Sequence, residues 1–284
     1  MEASLLTTPA PGSAPRWQLS APESYLLLHG PRANSVEAFR KGLLELVARG
    51  VLTVTTFTFR RLFWFERRES VVRSGPTGPT AIQAAPPLRW IYDLYRYAES
   101  RSSSGVPHVR DLGRTARKLE VPLSSYAQEV VIPSLLKRGL LRSEEHRVLG
   151  LFYGASLVET PRGTAERARL EDLMGMAERD LADAVARDPK QALALVGTLG
   201  AAILLMDPLF PELARLGEML NAGIGDALAI GSVELRLSSD LDLGAFDLDL
   251  GSLDSLGGAF DALSDLGDGG DGGGGDGGDG GGGD

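Results

Sequence analysis

Cysteine is absent from the 284 residues. That removes disulfides, thiolate metal sites and cysteine nucleophiles together, and it agrees with a reducing compartment. Histidine is scarce: His29, His108 and His146 stand far apart, in none of the H-x-x-x-H or H-E-x-x-H spacings, so no histidine-based metal site is expected. Three enzyme signatures are also missing in context: a G-x-S-x-G elbow, a phosphate loop ending in Gly-Lys-Ser/Thr, and a G-x-G-x-x-G turn after a strand. The only His–carboxylate neighbours are His108 with Asp111 and the run Glu144-Glu145-His146, and the latter reads as an exposed turn. No catalytic role, cofactor, metal or small-molecule substrate is therefore expected. No apolar run reaches the ~20 residues of a membrane span. Ala192 to Met206 comes nearest with fifteen uncharged residues, but Gly197, Thr198 and Gly200 interrupt it and Asp207-Pro208 closes it, so it reads as a buried core helix. Met1 to Trp17 lacks the basic start and apolar stretch of a signal peptide and reads as a disordered leader.

What the chain does have is 43% hydrophobic residues and a net charge of −9. The charge is unevenly spread. Twelve of the 38 acidic residues are aspartates after Arg236, which leaves 26 acidic against the 29 basic residues of the rest. The body is mildly basic and the acidity belongs to the C-terminal end. There, Asp-Leu phrases (Asp240-Leu-Asp-Leu, Asp247-Leu-Asp-Leu, Leu253-Asp-Ser-Leu) give way from Gly267 to glycine and aspartate alone. Glycine at that density buries nothing to offset its ordering entropy, so residues 237–284 are expected to be a disordered tail. Its carboxylates lack the apolar position of calcium-binding nonapeptide repeats and the spacing of an EF-hand, which makes a solubilising spacer the expected role.

Periodicity organises the rest. Pro22 to His29 is apolar and ends at Gly30-Pro31; Asn34 then offers an N-cap, with Glu37 as its return partner, for a helix with Val36, Phe39, Leu43, Leu44 and Val47 on one face and Gly50 as its stop. Val51 to Phe59 is β-branched and aromatic, and after Arg60-Arg61 comes Leu62-Phe-Trp-Phe65. Residues 74–87 are a Gly-Pro linker. A second series follows: helices over Leu88 to Glu99, His108 to Leu119 and Ser124 to Arg138, a stop at Gly139, then apolar segments for a small sheet. Thr160-Pro161 opens a helical run to Asp188. The expected fold is mostly α (α+β): a leader over 1–21, winged-helix-like units over 22–73 and 88–160 joined by the linker, a helical segment over 161–236 packed on the second unit, and the tail. Leu43-Leu-Glu-Leu-Val-Ala-Arg-Gly-Val-Leu52 and Leu135-Leu-Lys-Arg-Gly-Leu-Leu141 share a phrase, which fits either a duplication or two helices that end alike.

Three classes of partner compete. Arg60, Arg61, Arg67, Arg68 and Arg73, interleaved with Phe63, Trp64 and Phe65, have the charge and stacking surface of a nucleic-acid contact. Yet Glu66 and Glu69 dilute the hairpin, and the helix before it carries Glu37 and Glu45 beside Arg40, Lys41 and Arg49, which places DNA third. The same residues suit anionic lipid headgroups, the second reading. A non-enzymatic protein-interaction module with an unidentified protein partner is the first, located in the cytoplasm with membrane association as the variant.

Several of these phrases together, Tyr25-Leu-Leu-Leu-His-Gly-Pro-Arg, Val47-Ala-Arg-Gly-Val-Leu52, Leu135-Leu-Lys-Arg-Gly-Leu-Leu141, Thr160-Pro-Arg-Gly and the apolar stretch from Ala192 to Leu213, resemble an uncharacterised bacterial family. In it the Gly-Pro-Arg turn, the paired Arg-Gly helix ends and a Gly/Cys/Ser-rich tail recur, usually behind a transmembrane helix. Here aspartate stands in the tail where that family has cysteine. Leu136 to Phe152 is also similar to bacterial relatives of the Golgi phosphoprotein three family, helical proteins that bind phosphoinositide headgroups. That likeness implies anion contact at Arg138, Arg142 and Arg147.

Overall fold

A computed structural model describes residues 19–61, 65–148, 152–213, 215–217 and 219. The expected tail over 237–284, and the leader as far as residue 18, lie outside them. The chain is mostly helical, with two separate antiparallel two-stranded sheets.

Two short helices come first, α1 (Ala21–His29) and α2 (Ser35–Ala48). Asn34 caps α2 as its sequence predicts, its Oδ1 accepting from the Val36 and Glu37 amides. Glu37 does not serve as a return partner; it sits 3.1 Å from Arg40. At the far end Gly50 takes φ +64°, its amide donates to the Val47 carbonyl, and the Val51 amide donates to Leu46. This is a Schellman stop, in which the left-handed glycine lets the last carbonyls find donors. The chain then runs straight into a hairpin, β1 (Leu52–Arg61) with β2 (Phe65–Ser74), paired in register from Leu52↔Ser74 to Arg61↔Phe65.

The expected linker is not a bare spacer. It holds a 3-10 turn over Pro79–Ile82, and Ile82 is buried. Beyond it lie α3 (Pro86–Arg101), α4 (Val109–Lys118), a π turn over Ala127–Val131, and α5 (Ile132–Lys137). The second hairpin, β3 (Leu141–Val148) with β4 (Phe152–Glu159), follows. Glu144-Glu145-His146, expected in a turn, lies inside β3, because pairing with β4 carries the strand through the charged run.

The joint before this hairpin repeats the first one. Gly139 takes φ +69°, its amide donates to Leu136, and Leu140 donates to Leu135. Each hairpin is closed at its base by one equivalent bond: the Gly75 amide to the Val51 carbonyl at 2.8 Å, and the Thr160 amide to the Leu140 carbonyl at 3.0 Å. The shared phrase thus encodes the same helix-to-hairpin joint twice.

Thr160 accepts from the Gly163 amide and starts α6 (Pro161–Arg187); Asp188 breaks it and α7 (Pro189–Leu199) restarts. The apolar stretch from residue 192 is not one helix. It turns at Gly200, φ +55°, into a 3-10 segment over Gly200–Leu205, whose residues through Leu204 are buried. Among the described residues no helix is long and apolar enough to cross a membrane.

One apolar cluster runs from Leu19 to Leu216 through both helical groups. Within it Phe39 of α2 and Tyr126, both buried, form an aromatic triad with the partly buried Trp90 of α3, Phe39 edge-on to Tyr126 at 5.6 Å and Trp90 5.2 Å from Tyr126. The C-terminal helices differ from expectation. α6 and the 200–205 segment lie chiefly against α1, and α6 meets the second unit at β4 and, through Arg162, at the Arg138 carbonyl. An apolar face on α1, with Leu26 and Leu27 buried, is what draws them there. Leu19, Ser20 and Ala21, placed by the sequence in the leader, belong to this core.

Candidate functional site

The eight arginines singled out by sequence fall in different surroundings, and Arg73 is exposed near the base of the first hairpin, opposite Thr53. Arg60 and Arg61 close β1 and Arg67 and Arg68 open β2, so the register gathers all four at the outer end of the first hairpin. Arg147 holds the matching place near the end of β3. The side chains of these five lie outside the described part. Arg142 is exposed and paired with Glu144.

Arg138 is different. It is the cap residue of α5, and its Nε donates to Glu23 at 2.8 Å. Glu23 is fully buried, and its other oxygen accepts from both the amide and the hydroxyl of Ser20, while Ser134 donates to the same oxygen as Arg138. A second knot of the same kind lies beside it. Glu45, also fully buried, accepts from the Ala21 amide at 2.6 Å and from Arg49 at 2.7 Å. Burial pushes the Glu45 carboxyl above its ordinary range, the Arg49 cation and the Ala21 amide oppose that, and the nearby Glu23 charge adds to it. Arg49 and Arg138 are the cap residues of the two repeated joints, so each Arg-Gly joint sends its arginine to a buried glutamate beside the start of α1. These carboxylates satisfy amides that α1 would otherwise leave open in the core. The Tyr126 hydroxyl, donating to the Pro87 carbonyl at 3.0 Å, is held well above its usual range by burial and then by the two glutamates.

A third cluster clasps the C-terminal segment. Lys41, almost fully buried on α2, pairs with Asp207, stands 3.5 Å from Glu37 and lies 5.6 Å from the Phe210 ring; Arg40 reaches Asp207 at 3.1 Å. A fourth ties β2 to α4, where Glu69 faces the His108 Nδ1 at 3.7 Å and Arg110 at 3.5 Å. His108 and Asp111, read as a His–carboxylate neighbour pair, make a helix cap: the His108 amide donates to Asp111. Among the described residues no group of three or more His, Asp or Glu is arranged to hold a metal ion.

Beyond this packing, the first hairpin exposes part of β1. At its base Leu52, Val54, Val71 and Val72 are buried, whereas Thr55, Thr56 and Phe57 are exposed, Phe57 at 46%. The ladder is ten pairs long; its base is anchored in the core, and from Thr55 to Phe57 β1 is exposed, which makes the hairpin an arm. The outer edge of β2 is occupied near the base, where the Val72 amide donates to the Pro107 carbonyl and Val71 bridges to His108. Among the described residues no strand pairs with the outer edge of β1.

The sequence signals the arm's arginines and misses the buried charges. Ser20-x-x-Glu23 and Glu45-x-x-x-Arg49 are a capping-box pattern and an i,i+4 pair, so both were present to be read, but nothing local shows that they lie in the core. Comparison with models of known protein families returns no match for this chain, and comparison with curated proteins returns none either.

Proposed function

We propose that this protein is a non-catalytic, cytoplasmic interaction module whose working surface is the β1–β2 arm, and that the arm receives an extended segment of a protein partner. The observation that carries the reading is Phe57, a phenylalanine 46% exposed in a strand whose neighbours at the base are buried. An exposed aromatic next to an unpaired strand edge is the surface that accepts an added strand. The finer fold reading belongs to the same proposal: the orders α1-α2-β1-β2 and α3-α4-α5-β3-β4, with equivalent joints, support two winged-helix-like units with the hairpins as wings. The buried charged groups Glu23, Glu45 and Lys41 each meet a structural partner, which supports a scaffold rather than a reaction site. The lipid and DNA readings draw on fewer free charges than the sequence implies, since Arg138 is matched by Glu23 and Arg142 by Glu144.

The test probes an array of acidic, neutral and basic peptides with the full chain and with Phe57→Ser, alongside duplex DNA and vesicles of neutral and acidic lipid at low and high salt. The expected result is peptide retention that falls in Phe57→Ser, with no salt-dependent binding to vesicles or DNA. Retention on acidic vesicles or on DNA, with a blank array, overturns the reading.

A further inference from the structure

We propose that His108 is a pH-sensitive latch on the first hairpin: when its imidazole is protonated it closes on Glu69, holds β2 against α4 and sets the arm in the form that receives a partner. The inference rests on the arm being an interaction surface, and it supplies a control for that surface.

The latch sits where the hairpin meets the second helical group. The Val72 amide donates to the Pro107 carbonyl at 2.9 Å and Val71 bridges to His108, so the backbone of residues 107 and 108 covers the base of β2. His108 is at the same time the cap residue of α4, and its amide donates to Asp111. A movement of β2 relative to α4 therefore passes through this residue. Glu69 lies two positions before Val71, on the same face of β2, and the register sets it directly opposite Phe57. Cross-strand partners have Cβ atoms about 5 Å apart, so fixing Glu69 also fixes the strand position that carries Phe57.

The ring is left one proton short. Its Nδ1 is buried, makes no hydrogen bond among the described residues, and faces Glu69 Oε2 at 3.7 Å. The Asp111 amide, a donor at the same helix start, is already used by the His108 carbonyl at 2.9 Å. With Nδ1 unprotonated, a lone pair is turned on a carboxylate. With Nδ1 holding the single proton of the neutral ring, an uncharged N–H points at an oxygen beyond hydrogen-bond distance. Protonation of both nitrogens places a cation beside that oxygen, and a closure of about 1 Å makes a charge-assisted bond.

The surrounding charges make this contact the pH-dependent one. On α4, Arg110 stands 3.5 Å from the other Glu69 oxygen and keeps its charge at every relevant pH, while Asp111 is engaged by the His108 amide and by Arg114. On β2, Arg73 is exposed. On α3, Glu99 is engaged by Tyr95 and Arg96, and the turn over Leu123–Ser125 carries no charged residue. Glu69 thus faces one permanent cation and one that exists only below the histidine range, roughly pH 5 to 8. The contact is present at low pH and is lost as pH rises through that range. A fixed base leaves less of the arm to be ordered when a partner strand adds to β1, so partner binding is favoured at low pH.

The experiment reads amide exchange at Val72, the donor of the bond to Pro107, at about pH 5.5 and about pH 7.5 after correction for chemical exchange. The full chain is compared with His108→Gln and Glu69→Gln. Amides of Leu43 to Val47 in α2 report the stability of the whole fold at each pH, and Val72 protection is read relative to them. The expected result in the parent is relative protection about two- to fivefold higher at the lower pH, the range set by a part-exposed ion pair, with a smaller step in about 0.5 M salt. Neither variant shows the step. Glu69→Gln keeps the imidazole and the α4 cap, so it separates the ion pair from a merely structural role of His108. On an array of histidine-free peptides the parent retains more at the lower pH, and His108→Gln retains the same at both. No step in the parent, a step of opposite sign, or a step that survives in either variant overturns the proposal. The two readings fail separately: array binding that is equal at both pH values removes only the control, and a blank array with the expected exchange step removes only the arm as a binding surface.

Discussion

Glu23 at the start of α1 and Arg138 at the end of α5 form an ion pair at 2.8 Å in which the carboxylate is fully buried, and the first two helical groups of the chain are joined through it. A buried pair adds little net stability over an apolar substitute, but removing one partner strands the other without solvent. Glu23→Ala is therefore expected to cost about 3–5 kcal/mol in denaturant unfolding, and Arg138→Met a similar amount. The Glu23→Leu/Arg138→Met double variant should be nearer the parent than the sum of the singles. An additive double variant would show that the pair does not act as a unit.

Glu45 makes stability depend on pH in a defined direction. Its folded carboxyl lies above the ordinary 4.5 because burial penalises the charge. A raised folded value means that the folded state holds the proton more tightly, so the stabilisation is fully present below 4.5 and is lost as pH rises through the raised value. Glu45→Gln removes this dependence. The difference in unfolding free energy, variant minus parent, is expected to increase as the pH is raised above 4.5. A difference that stays flat or falls over that range would contradict the assignment.

The hairpin bases tolerate no side chain. A Cβ at Gly75 would lie 2.0 Å from the Gly50 carbonyl oxygen, and one at Gly163 would lie 2.1 Å from that of Leu140. Neither backbone oxygen can turn away without breaking a repeated joint. Gly75→Ala and Gly163→Ala are each expected to cost about 3 kcal/mol or more. Gly78→Ala, whose new methyl would meet only the Thr80 hydroxyl at 3.9 Å, should change stability by less than about 0.5 kcal/mol. Thermal unfolding of the three variants gives the comparison.

The clasp on α2 is tested at its exposed end. Asp207 is part-exposed, while Lys41 beneath it is almost fully buried. Asp207→Asn leaves Lys41 with Glu37 as its 3.5 Å carboxylate partner. A loss of about 1 kcal/mol is expected after allowing for solvent screening at the aspartate. Faster amide exchange at Leu209 and Phe210 should accompany it, because Phe210 is held under the same ammonium group.

Tyr126 should not ionise while the protein stays folded. Its hydroxyl is buried beside two carboxylates and donates to Pro87. Tyr25 and Tyr95 are also shifted upward, chiefly by burial, and titrate late. Absorbance titration is expected to leave a step that appears only when the chain unfolds in alkali. Tyr126→Phe should abolish that step at a cost of about 1 kcal/mol.

Where the signal is local, sequence and structure agree. The Asn34 cap, the glycine stops at 50 and 139, the Thr160-Pro161 start and the break at Asp188-Pro189 depend on groups within a few residues of one another, so the sequence by itself determined them. The β-branched and aromatic run that makes β1 a strand, with arginines at its outer end, is local as well. Tertiary structure decided which charges are sequestered and which helices meet. Arg138 and Arg142 look alike in sequence, yet one ends a helix over a buried glutamate of α1 and the other lies on an open strand beside Glu144. The helices after Thr160 follow the second hairpin in the chain but lie chiefly against α1, because burial of apolar area, not chain order, sets their place. Side chains far apart in sequence become partners only when water is removed between them, and no pattern along the chain records that event.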